Sequence, residues 1–161
     1  MGNAEATSSS QPTSPAREFS MDFPASPQGA SLARRLAASR VRGWGYEDDV
    51  PALLIGELVA NAVEHCHSPE GEFWPRVTAT ATLLIEVSDT CRTHHPALQQ
   101  PSPDAESGRG ILLVDTLATT WGTRVDEAPH GGKTVWCTCT PSRAPYDMSA
   151  KRPVRGGAQG R

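Results

Sequence analysis

The segment Val50-Pro51-Ala52-Leu53-Leu54-Ile55-Gly56-Glu57-Leu58-Val59-Ala60-Asn61-Ala62-Val63-Glu64-His65 decides how the chain reads. It predicts a helix from Tyr46 to about Cys66, with Glu47, Asp48 and Asp49 where the positive N-terminal end of a helix favours carboxylates. At about 100° per residue from Val50, Leu53 falls at about 300°, Leu54 at about 40° and Leu58 at about 80°; Glu57 falls at about 340° and Asn61 at about 20°. A carboxylate and an amide thus stand at the centre of the apolar stripe, where the helix must pack. A buried carboxylate without a partner is costly, so Glu57 needs a reason to be there. Two readings stay open. In one, Glu57 forms a salt bridge to an arginine such as Arg35. In the other, Glu57 and Asn61 share a helix face for chemistry. An amide oxygen suits Mg²⁺, which takes its other ligands from phosphates and water. A neighbouring carboxylate can then orient or deprotonate a nucleophile attacking a γ-phosphate.

Outward from this helix the periodicity is clear. Arg17 to Phe23 alternates apolar and polar residues, as an edge strand does. Ser31 to Arg42 predicts a helix with Leu32 and Leu36 on one face, stopped by Gly43 and Gly45. Val77 to Ser88 predicts two strands with a tight connection near Ala81. Ile111 to Ala118 reads as a short apolar helix. Trp121 to Val125 and Lys133 to Thr140 read as strands of a hairpin across Pro129-His130-Gly131-Gly132. Helices come first and most strands later, which predicts an α+β fold, a largely antiparallel sheet with helices on one face.

Two further features carry candidate chemistry. Asp89 ends the apolar strand Leu83-Leu84-Ile85-Glu86-Val87-Ser88; it either caps a turn or contacts a ligand at the strand end. After it, Thr90 to Ser107 contains Pro96, Pro101 and Pro103 and no periodicity, which predicts a lid over 92–107. This stretch runs into Gly108-Arg109-Gly110 and then directly into the Ile111 helix, where backbone N–H groups and the helix dipole favour an anion.

The chain has 161 residues, room for one domain, with 37 % hydrophobic and 20 % charged residues. Gly and Pro number 14 each and concentrate towards the ends and loops. Residues 1–16 therefore read as a disordered leader and 141–161 as a basic disordered tail around a domain at 17–140. No stretch approaches the ~20 apolar residues of a membrane span, and no basic-then-apolar leader opens the chain, so the expected address is the cytoplasm with no membrane partner. The net charge is −3, yet the tail carries Arg143, Lys151, Arg152, Arg155 and Arg161 against Asp147 alone. The domain itself is acidic, a poor footprint for nucleic acid. Of Cys66, Cys91, Cys137 and Cys139, none forms a CxxC, and His65, Cys66 and His67 diverge around a helix. Free buried or half-buried thiols fit better than a metal cluster.

In this order the pieces resemble the GHKL ATPase superfamily, whose fold is the Bergerat two-layer sandwich. They look most like its anti-sigma-factor serine/threonine kinase branch and the related ATP-binding regulators of actinobacteria. The resemblance spans about residues 17–140. It rests on Glu57-Leu58-Val59-Ala60-Asn61-Ala62-Val63-Glu64-His65, Glu86-Val87-Ser88-Asp89, Gly108-Arg109-Gly110-Ile111-Leu112-Leu113-Val114-Asp115, Trp121-Gly122 and Gly132-Lys133-Thr134-Val135-Trp136. It implies ATP and Mg²⁺ as ligands, with Asn61 binding the ion and Glu57 acting as base. Asp89 would accept from the adenine amino group, with Thr134 supporting that contact. Gly108 and Gly110 would close over the phosphates, with Arg109 between them meeting phosphate. The implied partners are an anti-sigma antagonist, a sigma factor, or a second copy in a homodimer. Phosphotransfer to a partner's Ser or Thr is the implied activity; a nucleotide-binding module that only sequesters its partner is the alternative, and a histidine autokinase ranks third. One departure stands out. The family's first glycine box reads Asp-x-Gly-x-Gly, whereas Asp89 is followed by Thr90, Cys91, Arg92 and Thr93.

Overall fold

The computed structural model describes residues 17–66, 70–90, 109–125 and 132–140. The leader at 1–16, the tail at 141–161, the 92–107 stretch and the turn at 129–131 lie outside the described residues. Strands β1 (Arg17–Ser20), β2 (Phe23–Pro24), β3 (Glu72–Ala79), β4 (Leu83–Asp89), β5 (Thr120–Val125) and β6 (Lys133–Cys139) join helices α1 (Pro27–Gly43), α2 (Asp49–Glu64) and α3 (Arg109–Leu117). The sheet runs β1-β3-β4-β6-β5, with β2 pairing β3 beyond the end of β1. All these pairings are antiparallel. The fold is α+β with a mostly antiparallel six-stranded sheet and three helices, as the strand periodicity predicts.

Pleat alternation makes the helix-facing side apolar. Phe19, Val77, Ile85 and Cys137 lie in register across four strands, and all four are buried. Onto this face pack α1 and α2, with α3 against α2. Leu54, Ile55, Leu58 and Val59 of α2 are wholly buried, each burial stabilising the fold by about 1.5–3 kcal/mol.

Helix α1 begins a turn earlier than its leucines suggest. Ser26 caps it, its hydroxyl accepting from the Gly29 N–H at 3.0 Å, with Pro27 at the first helical position. Its inner face consists of Ala30, Ala33, Ala37 and Val41, while Leu32 and Leu36 are exposed. Small side chains let α1 lie close against its neighbours, and that close approach overrides the leucine periodicity. A similar correction applies to α2. Leu53 is 48 % exposed, because the buried arc runs through Leu54, Ile55, Leu58, Val59 and Ala62 and is centred about 100° from Val50. Asn61 lies on one border of that arc, and Glu57 lies farther out, half-buried rather than central.

Candidate functional site

Asp48 starts α2: its carboxylate accepts the Val50 N–H at 2.9 Å, and Asp49 adds negative charge in the first turn, both favourable at the N-terminal end of a helix. This fixes the phase of the helix and so the direction of Glu57 and Asn61. Asn61 is 8 % exposed, and its Oδ1 is buried with no hydrogen-bond partner among the described residues. An orphaned amide oxygen inside a protein costs about 1–3 kcal/mol, so Oδ1 is an acceptor open to water, an ion or a ligand. Among the described residues no ion pair joins Glu57 to Arg35 or to any other cation.

The opening turn of α3 closes on Glu57. A Cβ built on Gly110 would lie 2.5 Å from Glu57 Oε2, so a glycine is what lets the helix start approach the carboxylate. Trp121 Nε1–H donates to Asp115 Oδ1 at 2.9 Å, tying the far side of α3 to β5. The structure thus brings Glu57, Asn61 and Gly110 to one place. Gly108 and the Arg109 side chain lie outside the described residues.

Asp89 and Thr134 stand at the ends of β4 and β6. Lys133 Nζ donates to Asp89 Oδ2 at 2.7 Å, and both side chains are wholly buried. One register step away, and so on the other face of the sheet, the hydroxyls of Ser88 and Thr134 are 2.6 Å apart; the Thr134 side chain therefore does not share the side of Asp89, contrary to the expectation that it supports the adenine contact there. Gly132 passes so close to the Asp89 carbonyl that no Cβ could fit between them. Cys66 Sγ meets Thr90 Oγ1 at 3.5 Å, which ties the C-terminal end of α2 to the end of β4. Asn61, one turn before that helix end, is therefore on the same side of the molecule as Asp89. Lys133 is the participant that motif reading overlooks. Its signal was parity, since Lys133 occupies the inward phase of Val135, Cys137 and Cys139 on the final strand.

On the opposite face of the sheet, Arg124 Nη2 donates to Glu86 Oε1 at 2.6 Å and Arg76 to Glu18 at 2.9 Å. Glu18 beside it raises the Arg76 guanidinium above its usual range. Under the helices, burial pushes the Cys137 thiol up to about 12 and the Cys139 thiol to about 11. Both are inert core groups at neutral pH.

A buried amide oxygen, a half-buried carboxylate under the first turn of α3 and a carboxylate at a strand end are thus carried by an α+β domain. The chain belongs to the family of histidine kinase-like ATPase domains, whose family model matches residues 23–139. Membership supports ATP binding, and the orphaned Asn61 Oδ1 fits the Mg²⁺ that usually accompanies it. No curated protein matches the chain at a significant level. Among the described residues no helix is long and apolar enough to cross a membrane.

Proposed function

We propose that this domain binds Mg-ATP between α2, α3 and the ends of β4 and β6, and transfers the γ-phosphate to a Ser or Thr hydroxyl of a partner regulator. The buried, unpartnered Oδ1 of Asn61, one helical turn from Glu57, carries this reading. When bound, Mg²⁺ offsets phosphate charge. Asn61 would hold the ion, and the α3 start at Gly110 would face the phosphates. Glu57 would take the proton from the attacking hydroxyl as the new P–O bond forms and ADP leaves. Asp89 would accept from the adenine amino group. The partner class is that of anti-sigma-factor kinases: an anti-sigma antagonist, a sigma factor, or both, with a second copy of the chain as a further partner.

Glu57→Gln tests the transfer step, because it keeps the shape and removes the basicity. The variant should fold and bind Mg-ATP while phosphotransfer to the partner falls by roughly 10²–10⁴-fold. A variant that is less stable yet transfers phosphate at the normal rate would return Glu57 to a structural role. A second reading is a binding module that sequesters its partner without phosphotransfer. The absence of both glycines after Asp89 favours it, since Cys91 and Thr93 lack the backbone freedom that glycine has at those two positions. Wild-type protein that binds Mg-ATP and partner together but phosphorylates nothing would decide for it.

A further inference from the structure

Row after row, the helix-facing side of the sheet is apolar: Ala79, Leu83 and Cys139; Val77, Ile85 and Cys137; Pro75, Val87 and Val135. The next row, Phe73, Asp89 and Lys133, breaks the pattern with a carboxylate and an ammonium 2.7 Å apart and wholly buried. Phe73 is itself fully buried and stacks on Phe23, with ring centroids 5.7 Å apart. The stacked rings of Phe73 and Phe23 beside the pair do not ask for charge there. Replacing a buried ion pair by apolar residues of similar volume is often neutral or stabilising, so stability explains this pair poorly. Its location explains it better. The pair closes the strand ends where Gly132 presses on the Asp89 carbonyl and where Cys66 ties α2 to Thr90.

We infer that Lys133 is a positioning residue for nucleobase recognition, holding Asp89 as an oriented carboxylate that accepts a hydrogen bond from the 6-amino group of a purine. The inference rests on the nucleotide reading above and extends it to a residue with no role there. The Lys133 side chain offers donors only. By engaging Oδ2 at 2.7 Å it fixes the carboxyl group in place and in plane. The site then favours a base that carries the amine over one with hydrogen in its place, because the amine adds a charge-assisted hydrogen bond that hydrogen cannot make.

The test compares the affinities of ATP and of purine riboside 5′-triphosphate, which lacks only the 6-amino group, by titration calorimetry on the full chain. Wild type should prefer ATP by on the order of tenfold to a hundredfold. Lys133→Arg should retain most of that preference. Lys133→Met should bring the two affinities to within about threefold of each other. Lys133→Gln, which keeps a donor without the charge, should reduce the preference and serves where the methionine variant does not fold. A merely structural role would lower the melting temperature and leave the ratio unchanged, since the two ligands share every other group. An unchanged ratio in a folded Met or Gln variant overturns the inference. So does a wild type that binds both ligands equally, which leaves nucleotide binding itself standing. A wild type that binds neither overturns the nucleotide reading and this inference with it.

Discussion

Glu57 and Gly110 are in contact across the α2–α3 boundary: the carboxylate Oε2 occupies the space where a side chain on Gly110 would begin, 2.5 Å from the position of its Cβ. The place of the helix start and the place of the carboxylate are one constraint. Gly110→Ala should therefore separate stability from activity. Alanine favours a helix by about 1 kcal/mol over glycine, and the obstructing atom is the end of a flexible side chain that can swing away. Thermal melts should shift little, while phosphotransfer should fall by about 10–100-fold as the carboxylate leaves its position. A variant with normal transfer would show that this contact is incidental.

Asn61→Ala should remove the Mg²⁺ dependence of ATP affinity. The ligand-free protein should lose little stability, because the change also deletes a buried oxygen without a partner. For wild type, Mg-ATP at about 100 times its Kd should stabilise the fold by ~2.7 kcal/mol. The measurement is a set of melts with ATP, with and without Mg²⁺, on both proteins. An Asn61→Ala protein that keeps the full Mg²⁺-dependent shift would exclude Asn61 as the ligand.

The phase of α2 can be checked with adjacent leucines. Leu54 is wholly buried and Leu53 is 48 % exposed. Leu54→Ala should cost about 2–5 kcal/mol, whereas Leu53→Ala should stay within about 0.5 kcal/mol. Urea unfolding curves would read both. Equal costs would contradict the buried arc described for this helix.

Stability should fall above about pH 9, through Cys137 and Cys139. Burial holds these thiols protonated to about 12 and about 11, whereas thiols in the unfolded chain ionise near about 8.5. Their stabilising effect is complete below the unfolded value. Between the two values the unfolded chain has released protons that the folded chain keeps, so stability declines by about 1.4 kcal/mol per pH unit for each thiol. Denaturant midpoints at pH 8 and pH 10 should show the decline, and a Cys137→Ala, Cys139→Ala double variant should flatten it. Identical slopes in the two proteins would assign the decline to other groups.

The strands were legible because period-2 alternation is local: Val77, Ile85 and Cys137 announce their own face. Glu57 and Asn61 were legible as polar groups out of place on an apolar helix. Their depth was not, because Leu53 suggested a stripe centred one way, while Ile55 and Val59, both wholly buried, extend the buried arc the other way. The inner face of α1 was missed because it consists of alanines, which signal close approach only once the opposing surface is known. Lys133 was hidden differently. Its meaning depends on a register across β4 and β6 that brings residues 44 positions apart into one pair, and no local pattern contains that.

The unbroken register between β4 and β6, seven consecutive pairs from Leu83–Cys139 to Asp89–Lys133, also bears on how such a domain tolerates change over time. Insertions between the strands leave the pairing intact and are free to accumulate. A single-residue slip within β6 would turn Thr134 towards Asp89 and send Val135 and Cys137 to the other face. Sequence drift can therefore lengthen the connections of this sheet indefinitely, while the parity of its last strand is inherited whole or lost whole.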